Sequence, residues 1–201
     1  MQQTILVTGG TGFIASNVVR YFLENTDHNI VSLDRIDLSS DLGRIATLLE
    51  SKPEFKPRMK TVWHDLKSEI NENVANKIGK VDKILHLAAS SHVNRSILDP
   101  LSFVMDNVVG TCNILNYARK VEGLKKFLYF STDEVFGPAT SGVAFSENDR
   151  YNSGNPYSAS KAGGEELVVS FNNTYNLPTV ITHTMNVYGP AQHSEKFVPI
   201  C

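Results

Sequence analysis

Short apolar runs alternate along this sequence with stretches whose apolar residues recur at helical spacing, and this alternation restricts the fold more than any other feature. Runs of strand length occur at Thr4–Thr8, Ile30–Leu33, Thr61–Trp63, Ile84–Leu87, Phe127–Ser131 and Thr179–Thr182. Helical periodicity lies between them, and the two longest predicted helices are Phe103–Lys120 and Ser158–Tyr175. Alternating strands and helices give a parallel sheet with helices on both faces, joined by right-handed crossovers. The sequence therefore predicts an α/β fold with a doubly wound parallel sheet, the Rossmann fold.

Two polar stretches are predicted to connect these elements. Gly137–Tyr151 is rich in glycine, serine and charge and is predicted to be a surface loop after the fifth strand. Lys52–Lys60 is strongly charged and is predicted to be a solvated connection.

Composition and charge limit the classes of function. The 201 residues suffice for one domain, 1–201, and 41% of them are hydrophobic. A net charge of −2 gives no electrostatic reason to expect nucleic acid or an anionic membrane as partner. No apolar run is long enough for a transmembrane helix, and Met1 leads directly into a strand pattern, so we expect neither a membrane span nor a signal peptide. Cys112 and Cys201 lack framework spacing, which favours a cytoplasmic location.

The histidines give no sign of a metal site. All six lack the spacing of metal ligands, so we expect no metal. His86 and His183 fall in strand runs, where a hydrogen-bonded structural role is expected.

The turn after the first strand has the glycine pattern of a dinucleotide site. Its Gly10-x-Gly12-x-x-Ala15 sequence allows a tight turn and a close approach of backbone to a pyrophosphate, while the small Ala15 lets helix and strand pack closely. The next helix directs its unpaired N–H groups and positive dipole end at that phosphate. The predicted cofactor-binding residues of this turn are Gly9, Gly10, Gly12, Phe13 and Ile14.

Residues at the ends of the next three strands are predicted to line the rest of the cofactor. Asp34 ends the second strand, where a carboxylate accepts hydrogen bonds from the adenosine ribose and repels a 2′-phosphate, which favours NAD over NADP. Arg35 weakens this preference, because an arginine can meet a 2′-phosphate. The remaining predicted positions are Asp65 and Leu66 at the adenine edge, and Leu87, Ala88, Ala89 and Ser90 along the dinucleotide.

A tyrosine and a lysine one helical turn apart form the core of a candidate catalytic site. Tyr157 and Lys161 are at positions i and i+4 of a predicted helix and therefore share one face. A lysine ammonium near a phenol lowers the pKa of the phenol, so Tyr157 is predicted to act as a base near neutral pH. Thr132, at the end of the fifth strand, is predicted to hydrogen-bond the same substrate oxygen.

Together these motifs resemble the extended short-chain dehydrogenase/reductase family, the NAD-dependent epimerases and dehydratases. The resemblance covers Thr4–Ile200 and is carried by ILVTGGTGFIASNVVR, HLAASSHVNRSI, NVVGT, STDEVFG, NPYSASKA, LPT and NVYGP. The segment Ser131–Val135 is similar to that of the nucleotide-sugar 4,6-dehydratases, which implies that Asp133 and Glu134 are the acid and base of a dehydration. Adjacent carboxyl groups also make chemical sense there, since one must be protonated and the other ionised.

The resemblance also implies a substrate, a cofactor and a partner. The cofactor is NAD, and the substrate is a nucleotide sugar, with dTDP favoured as the nucleotide and UDP next. A homodimer is implied through a four-helix bundle made from Phe103–Lys120 and Ser158–Tyr175, with apolar surface expected from Phe103, Val104, Val108 and Leu115. Asp106, Tyr157, Lys161 and Val187 are implied as further cofactor-binding positions. The implied sugar-binding residues are Ser91, Thr132, Asn186, Lys196 and Phe197.

The sequence departs from the family pattern at several positions. Ala15 replaces a glycine, Ser90 a glutamate, Asn94 an aspartate and Asp106 a threonine that contacts the cofactor. Family members also continue beyond position 201 into a smaller C-terminal region that holds the substrate nucleotide. We therefore expect this chain to be a fragment or a shortened protein, with that region largely absent.

Two alternative functions stay open. A nucleotide-sugar 4-epimerase or decarboxylase of the same family would share the cofactor site, Tyr157 and Lys161, but the Asp133-Glu134 pair argues against it. A catalytically idle dinucleotide-binding module would fit a shortened chain, but an intact set of catalytic residues argues against that.

Overall fold

The sheet predicted from the sequence is present in full. The computed structural model describes residues 1–37 and 40–192. Its strands are β1 Thr4–Thr8, β2 Asn29–Asp34, β3 Met59–Trp63, β4 Lys83–His86, β5 Lys126–Thr132 and β6 Thr179–Thr184. Its α-helices are α1 Phe13–Asn25, α2 Leu42–Ser51, α3 Glu72–Ile78, α4 Val93–Leu98, α5 Pro100–Val104, α6 Gly110–Ala118 and α7 Pro156–Tyr175.

The six strands are parallel and lie in the order β3-β2-β1-β4-β5-β6. Strand order reverses direction between β1 and β4, and such a switch point opens a crevice at the carboxyl ends of the strands. The predicted doubly wound sheet is therefore confirmed. The candidate site residues that follow β1, β2, β4 and β5 all lie at this one edge.

Alternate residues of the strands face two separate cores. In β1, Ile5 and Val7 pack with α1 and α2, while Leu6 packs on the other face with α3 and α6. Ala15 of α1 is buried in the first of these cores, as the small-residue position of the glycine pattern requires. Both sheet faces are thus covered by helices, which is the expected environment of apolar parallel strands.

The charged connection Lys52–Lys60 is more structured than predicted. A 3₁₀ helix spans Pro53–Arg58, and Phe55 within it is buried against the α1–α2 core. The Arg58 guanidinium donates hydrogen bonds to the carbonyl oxygens of Leu23 and Thr26, at the end of α1. Most of the other residues of this stretch are exposed, as predicted. The prediction missed the 3₁₀ helix, the burial of Phe55 and the capping of α1 by Arg58.

The predicted long helix Phe103–Lys120 is interrupted. It consists of α5, a π-helical turn at Met105–Val109, and α6. The π turn carries Asp106, which lines the groove described below, and Asn107, which is buried and hydrogen-bonded to Ser90 and Ser160. Phe103 and Leu115 are buried within the chain, which contradicts the expectation that they supply surface for a partner.

Helix α7 crosses this π turn at two adjacent glycines, which differ in how much room surrounds them. A Cβ at Gly164 would lie 2.2 Å from the hydroxyl oxygen of buried Tyr129, whereas one at Gly163 would lie 3.2 Å from Val108 Cγ2. We expect Gly164→Ala to lower the free energy of unfolding by about 1–3 kcal/mol through overpacking. Gly163→Ala is the matched control, because its gain of up to ~1 kcal/mol in helix propensity offsets a mild contact. Urea unfolding of both variants checks the prediction, and equal stabilities would contradict it.

Candidate active site

A groove opens at the carboxyl edge of the sheet and contains most of the predicted cofactor residues. It is lined by Gly9, Thr11, Gly12, Leu33, Asp34, Arg35, Asp37, Ser40, His64, Asp65, Leu66, Lys67, Leu87, Ala88, Ala89, Ser90 and Asp106. These residues follow β1, β2, β3 and β4, with Asp106 contributed by the π turn.

Glycine is required at each of three positions in the first turn for a different structural reason. Gly9 has a φ of +74°, and a Cβ there would lie 3.0 Å from the backbone of Ala88. A Cβ at Gly10 would collide with the Ser32 side chain of β2, at 2.1 Å from Oγ, so Gly10 is required for packing beneath the groove. Gly12 precedes α1 at the N-cap, where it has no side chain to cover the first N–H groups of the helix. These features fit a pyrophosphate, which binds to exposed backbone N–H groups.

Asp34 lies where the sequence predicts a ribose-binding carboxylate, and it also holds the glycine turn. Its Oδ2 accepts hydrogen bonds from Thr11 N at 2.6 Å and Thr11 Oγ1 at 2.7 Å, and its Oδ1 accepts one from Arg35 N at 2.8 Å. Burial raises the pKa of Asp34, and the hydrogen bonds from Thr11 oppose that rise. A carboxylate has about four lone-pair sites, so these three bonds leave capacity for a ribose hydroxyl.

Arg35 is enclosed by carboxylates. Its Nη1 and Nη2 donate to Asp106 Oδ1 and Oδ2 at 2.7 and 2.8 Å, a bidentate pair. Its Nε donates to Asp37 at 3.0 Å, and Nη1 also lies 3.3 Å from Asp65. Ser90 Oγ donates to Asp106 Oδ2 at 2.6 Å. Asp65, Ser90 and Asp106 thus all line the groove. Arg35 joins Asp65 to Asp106, and Ser90 is hydrogen-bonded to Asp106.

Behind the groove, His86 has the structural role expected of a strand histidine. It is 1% exposed, and its two ring nitrogens are hydrogen-bonded to Thr8 Oγ1 and Thr111 Oγ1. Burial lowers the pKa of His86 to about 3, so the ring is neutral. The Thr8 hydroxyl also accepts from the backbone N–H groups of Leu87 and Ala88, which fixes the segment that follows β4.

Phe13, Ile14 and Val187 lie apart from the first groove. Their side chains line a neighbouring apolar groove between α1 and the segment 187–190, together with Tyr188 and Pro190. Only the backbone of Phe13 and Ile14, in the first turn of α1, fits the predicted phosphate role.

The candidate acid–base pair lies in a short turn at the end of β5. Asp133–Phe136 is a 3₁₀ helix whose N-cap is Thr132, and Thr132 Oγ1 accepts from Glu134 N at 3.3 Å and donates to Asp133 Oδ1 at 3.3 Å. The Asn155 side-chain amide donates to Glu134 Oε2 at 3.2 Å. Asn155 is also the N-cap of α7 and accepts from Ser158 N, so one residue ties the acid–base turn to the helix of Tyr157.

Tyr157 lies beside this turn, but its pKa moves opposite to the prediction. Burial raises the pKa of Tyr157 to about 12, a hydrogen bond with Thr132 lowers it, and the charges of Glu134 and Asp133 raise it. The lysine that was expected to lower it is directed elsewhere, because Lys161 Nζ donates to the Phe130 carbonyl oxygen at 2.8 Å. The predicted lowering therefore does not hold in this arrangement of side chains.

The amino group of Lys161 is buried and has few neighbours that stabilise its charged form. Its Nζ lies 4.2 Å from the Tyr129 ring centroid, and the residue is 3% exposed. Burial lowers the pKa of Lys161 to about 7, while the charge of Glu165 raises it. Glu165 is itself fully buried and accepts hydrogen bonds from Ser131, Tyr151 and His183. A second titratable group thus lies one turn beyond Lys161, behind the candidate catalytic residues.

The predicted sugar-binding residues are only partly brought together. Thr132 is beside Tyr157, whereas Ser91 lies on an exposed segment after β4 and Asn186 on an exposed segment after β6. Lys196 and Phe197 fall outside the described residues. Among the described residues there is no group of three or more side chains that could hold a metal ion, and no helix there is long and apolar enough to cross a membrane.

Comparison with known sequences supports the resemblance seen in the motifs. Residues 6–200 match the family described as GDP-mannose 4,6 dehydratase. The chain belongs to this family. The predicted membership of the NAD-dependent epimerases and dehydratases is therefore confirmed.

Relatives within the family cover nearly all of this chain. A low-salt glycan biosynthesis protein of Haloferax volcanii is 42% identical over 97% of the chain and 60% of its own length. The dTDP-glucose 4,6-dehydratase of Haemophilus influenzae is 38% identical over 98% of the chain and 59% of its own length. The chain thus spans about 60% of the length of these relatives.

Solved structures of the family show the same fold. The dTDP-glucose 4,6-dehydratase DesIV of Streptomyces venezuelae, a double mutant with NAD and DAU bound, has a TM-score of 0.88 at 33% identity, over 98% of this chain and 60% of its own. UDP-glucuronic acid 4-epimerase of Bacillus cereus, in complex with UDP-glucuronic acid and NAD, has a TM-score of 0.83 at 28% identity, over 96% of this chain and 60% of its own. Both dehydratases and epimerases of the family therefore share this architecture.

The burial of Lys161 in this family member has a consequence for stability. The folded-state pKa of about 7 lies below the ordinary 10.5, so between those values the unfolded chain binds a proton that the folded chain does not. Stability of the wild type should therefore rise with pH across this window, by on the order of 1 kcal/mol per pH unit. We expect Lys161→Met to lack this slope, and its stability relative to wild type to be greatest at pH 7 and below.

Urea unfolding at several pH values between 6 and 10 measures the slope. Lys77→Met, at an exposed position on α3, is the control and should parallel the wild type. A Lys161→Met profile parallel to the wild type would show that Lys161 keeps its ordinary affinity for protons.

Proposed function

We propose that residues 1–201 form the NAD-binding domain of a nucleotide-sugar 4,6-dehydratase and carry its catalytic residues. The observation that carries this proposal is the position of Asp133 and Glu134 in the turn next to Thr132 and Tyr157. A dehydration needs an acid and a base besides the base that serves oxidation, and this turn supplies two carboxyl groups. Dehydratases among the relatives agree with the proposal.

NAD is the proposed cofactor, because the residues present fit it. The glycine turn offers backbone N–H groups at the start of α1, and Asp34 stands at the ribose position with a lone pair available. When bound, NAD accepts a hydride from the substrate and later returns it. The proposed cofactor-binding residues are those of the groove, with the backbone of Gly10, Phe13 and Ile14.

The protein residues divide the proton transfers between them. Tyr157 takes the proton of the C4 hydroxyl as the sugar is oxidised, and Thr132 hydrogen-bonds the same oxygen. The resulting 4-ketone acidifies the C5 proton, which Glu134 removes, while Asp133 protonates the departing C6 hydroxyl. Lys161, one turn along α7 from Tyr157, is proposed to assist this proton transfer. Water is lost, and once the hydride has been returned to C6, Glu134 would give its proton back to C5. The products are then a 4-keto-6-deoxy sugar and water.

The nucleotide of the substrate is proposed to be dTDP, with UDP as the second choice. Ser91 and Asn186 are exposed near the carboxyl edge of the sheet, where they are available to a sugar, and Lys196 and Phe197 are proposed to assist them. The C-terminal region of the longer relatives is proposed to hold the nucleotide. Residues 1–201 alone are therefore expected to bind NAD and to convert substrate poorly.

A cytoplasmic location is proposed, and the free thiol of Cys112 agrees with it.

A nucleotide-sugar 4-epimerase is the second candidate, favoured by the epimerase neighbour of TM-score 0.83. An epimerase needs Tyr157 and the cofactor but has no use for an acid–base pair that expels water. A chain joined to the C-terminal region of a longer relative, supplied with NAD and dTDP-glucose, tests the two candidates. A 4-keto sugar supports the dehydratase, and a 4-epimer without a keto product supports the epimerase.

A homodimer is proposed through α4, α5 and α7, which contact each other. Ile97, Leu98, Leu101 and Val104 are exposed on α4 and α5, so the surface there is apolar. Such a patch is typical of a two-fold interface. We expect a dimer in sedimentation velocity at micromolar concentration and a monomer after Leu98→Asp with Leu101→Asp. The control is Tyr21→Asp, exposed on α1, and a monomeric wild type would contradict the proposal.

A further inference from the structure

The Arg35 guanidinium stands where a dinucleotide site that accepts NADP would place a phosphate-binding cation. An arginine next to the ribose-binding position commonly accommodates the 2′-phosphate of NADP. From the sequence, Arg35 therefore weakens the expected preference for NAD. The contacts of Arg35 lead to the opposite conclusion.

Most of the hydrogen-bonding capacity of Arg35 is committed to protein carboxylates. A guanidinium has five N–H donors in a fixed fork, and phosphate recognition uses two of them side by side. Asp37 takes the Nε hydrogen, Asp65 and Asp106 take those of Nη1, and Asp106 takes one of Nη2. The fork that would hold a phosphate thus already holds Asp106.

Asp106 is itself fixed in place. Its side chain is 10% exposed, and Ser90 Oγ donates to its Oδ2 at 2.6 Å. The Ser90 backbone is held on both sides by Asn107, which accepts from Ser90 N at 2.8 Å and donates to Ser90 O at 2.9 Å. The hydrogen bonds that Arg35 donates to Asp106 are the main cause of the raised pKa of Arg35. The ion pair is therefore a built contact between the end of β2 and the π turn.

The groove as a whole is also unfavourable for additional negative charge. Among the described residues that line it, Asp34, Asp37, Asp65 and Asp106 outnumber the cationic Arg35 and Lys67. A 2′-phosphate would bring further negative charge close to these carboxylates, in a partly buried site where charges interact more strongly than in water.

We propose that Asp106 is a specificity-determining residue that excludes NADP by holding Arg35 in a bidentate ion pair across the adenosine groove. This inference rests on the proposed dinucleotide site. Asp34 would repel the 2′-phosphate of NADP directly. Asp106 would act in addition, by occupying the guanidinium that could otherwise bind that phosphate. NAD lacks the 2′-phosphate and does not need the guanidinium.

Binding of NAD and NADP to the 201-residue chain tests the proposal without any turnover. Calorimetric titration of wild type, Asp106→Asn and Asp106→Ser compares the ratio of the two dissociation constants. In both variants we expect the affinity for NADP relative to that for NAD to gain about tenfold, which corresponds to one hydrogen bond to a charged group. In Asp106→Asn with Arg35→Met, that gain should disappear. Asp34→Ala should also narrow the discrimination, whereas Glu24→Gln, which removes a carboxylate paired with Lys52 outside the groove, should leave it unchanged.

Three outcomes separate the possibilities. A ratio unchanged in both Asp106 variants overturns the proposal. A gain of equal size in the double variant without Arg35 also overturns it, because the effect is then general charge repulsion. A wild-type chain that binds neither NAD nor NADP contradicts the proposed function itself, and circular dichroism shows whether each variant is folded.

Discussion

Tyr157→Phe is expected to lower the rate of NADH formation from dTDP-glucose by about 10²–10⁴-fold in a chain joined to the C-terminal region of the longer relatives. The substitution removes the group proposed to take the proton of the C4 hydroxyl, so oxidation lacks its base. Because burial holds the pKa of Tyr157 near 12, the wild-type rate should rise with pH towards the alkaline range, where more of the phenol is ionised.

NAD binding separates a catalytic effect from a structural one. Phenylalanine retains the ring that packs edge-on against Phe103, with centroids 6.4 Å apart, so the variant should bind NAD as the wild type does. NADH formation at the wild-type rate would remove Tyr157 from the proposed mechanism.

Glu134→Gln is expected to form NADH but little product in the same chain joined to the C-terminal region, whereas Tyr157→Phe should form little NADH. Oxidation at C4 should proceed, because Tyr157 and Lys161 are unchanged, while removal of the C5 proton should slow by about 10²–10⁴-fold. The variant should therefore accumulate NADH absorbance on addition of substrate and release little 4-keto-6-deoxy product. Stopped-flow absorbance combined with product analysis measures both quantities.

The matched control is Glu166→Gln, an exposed position on α7 that loses the same charge. It should form product normally. If Glu134→Gln forms product at the wild-type rate, the assignment of the Asp133-Glu134 turn to dehydration fails, and the epimerase becomes the better proposal.

The sheet and the dinucleotide groove could be predicted because their signals are local. Each strand is a short apolar run, and in a parallel sheet the residues after the strands meet at one edge. Asp34, Asp65 and Ala88 therefore came to one groove from three separate places in the sequence. The same reasoning brought Thr132 to Tyr157.

Contacts between distant side chains could not be predicted in this way. Phe55 and Met59 are isolated apolar residues in a charged stretch, and no periodicity reveals that Phe55 is buried in the core formed with α1 and α2. The pairing of Arg35 with Asp106 depends on the π turn, which changes the direction of the helix face that carries Asp106. The N-cap role of Asn155 could be predicted, since an asparagine before proline is typical of a helix N-cap. No sequence pattern indicates its hydrogen bond to Glu134.

The pKa of Tyr157 shows why spacing alone was insufficient. Positions i and i+4 share a helix face, but burial of the phenol and the carboxylates of the neighbouring turn raise its pKa, while the lysine donates to a backbone carbonyl. The competing groups come from β5 and the turn after it, and they are distant in sequence from the helix.

The most direct test of the proposed dehydratase follows one hydrogen atom. dTDP-glucose carrying deuterium at C4 is incubated with NAD and the chain joined to the C-terminal region of a longer relative. The product is analysed by mass spectrometry and NMR. The dehydratase mechanism predicts a 4-keto-6-deoxy sugar with the deuterium in the C6 methyl group, because the hydride removed from C4 returns to C6. A product that has the deuterium back at C4, with the C4 configuration inverted and the C6 hydroxyl retained, would contradict it.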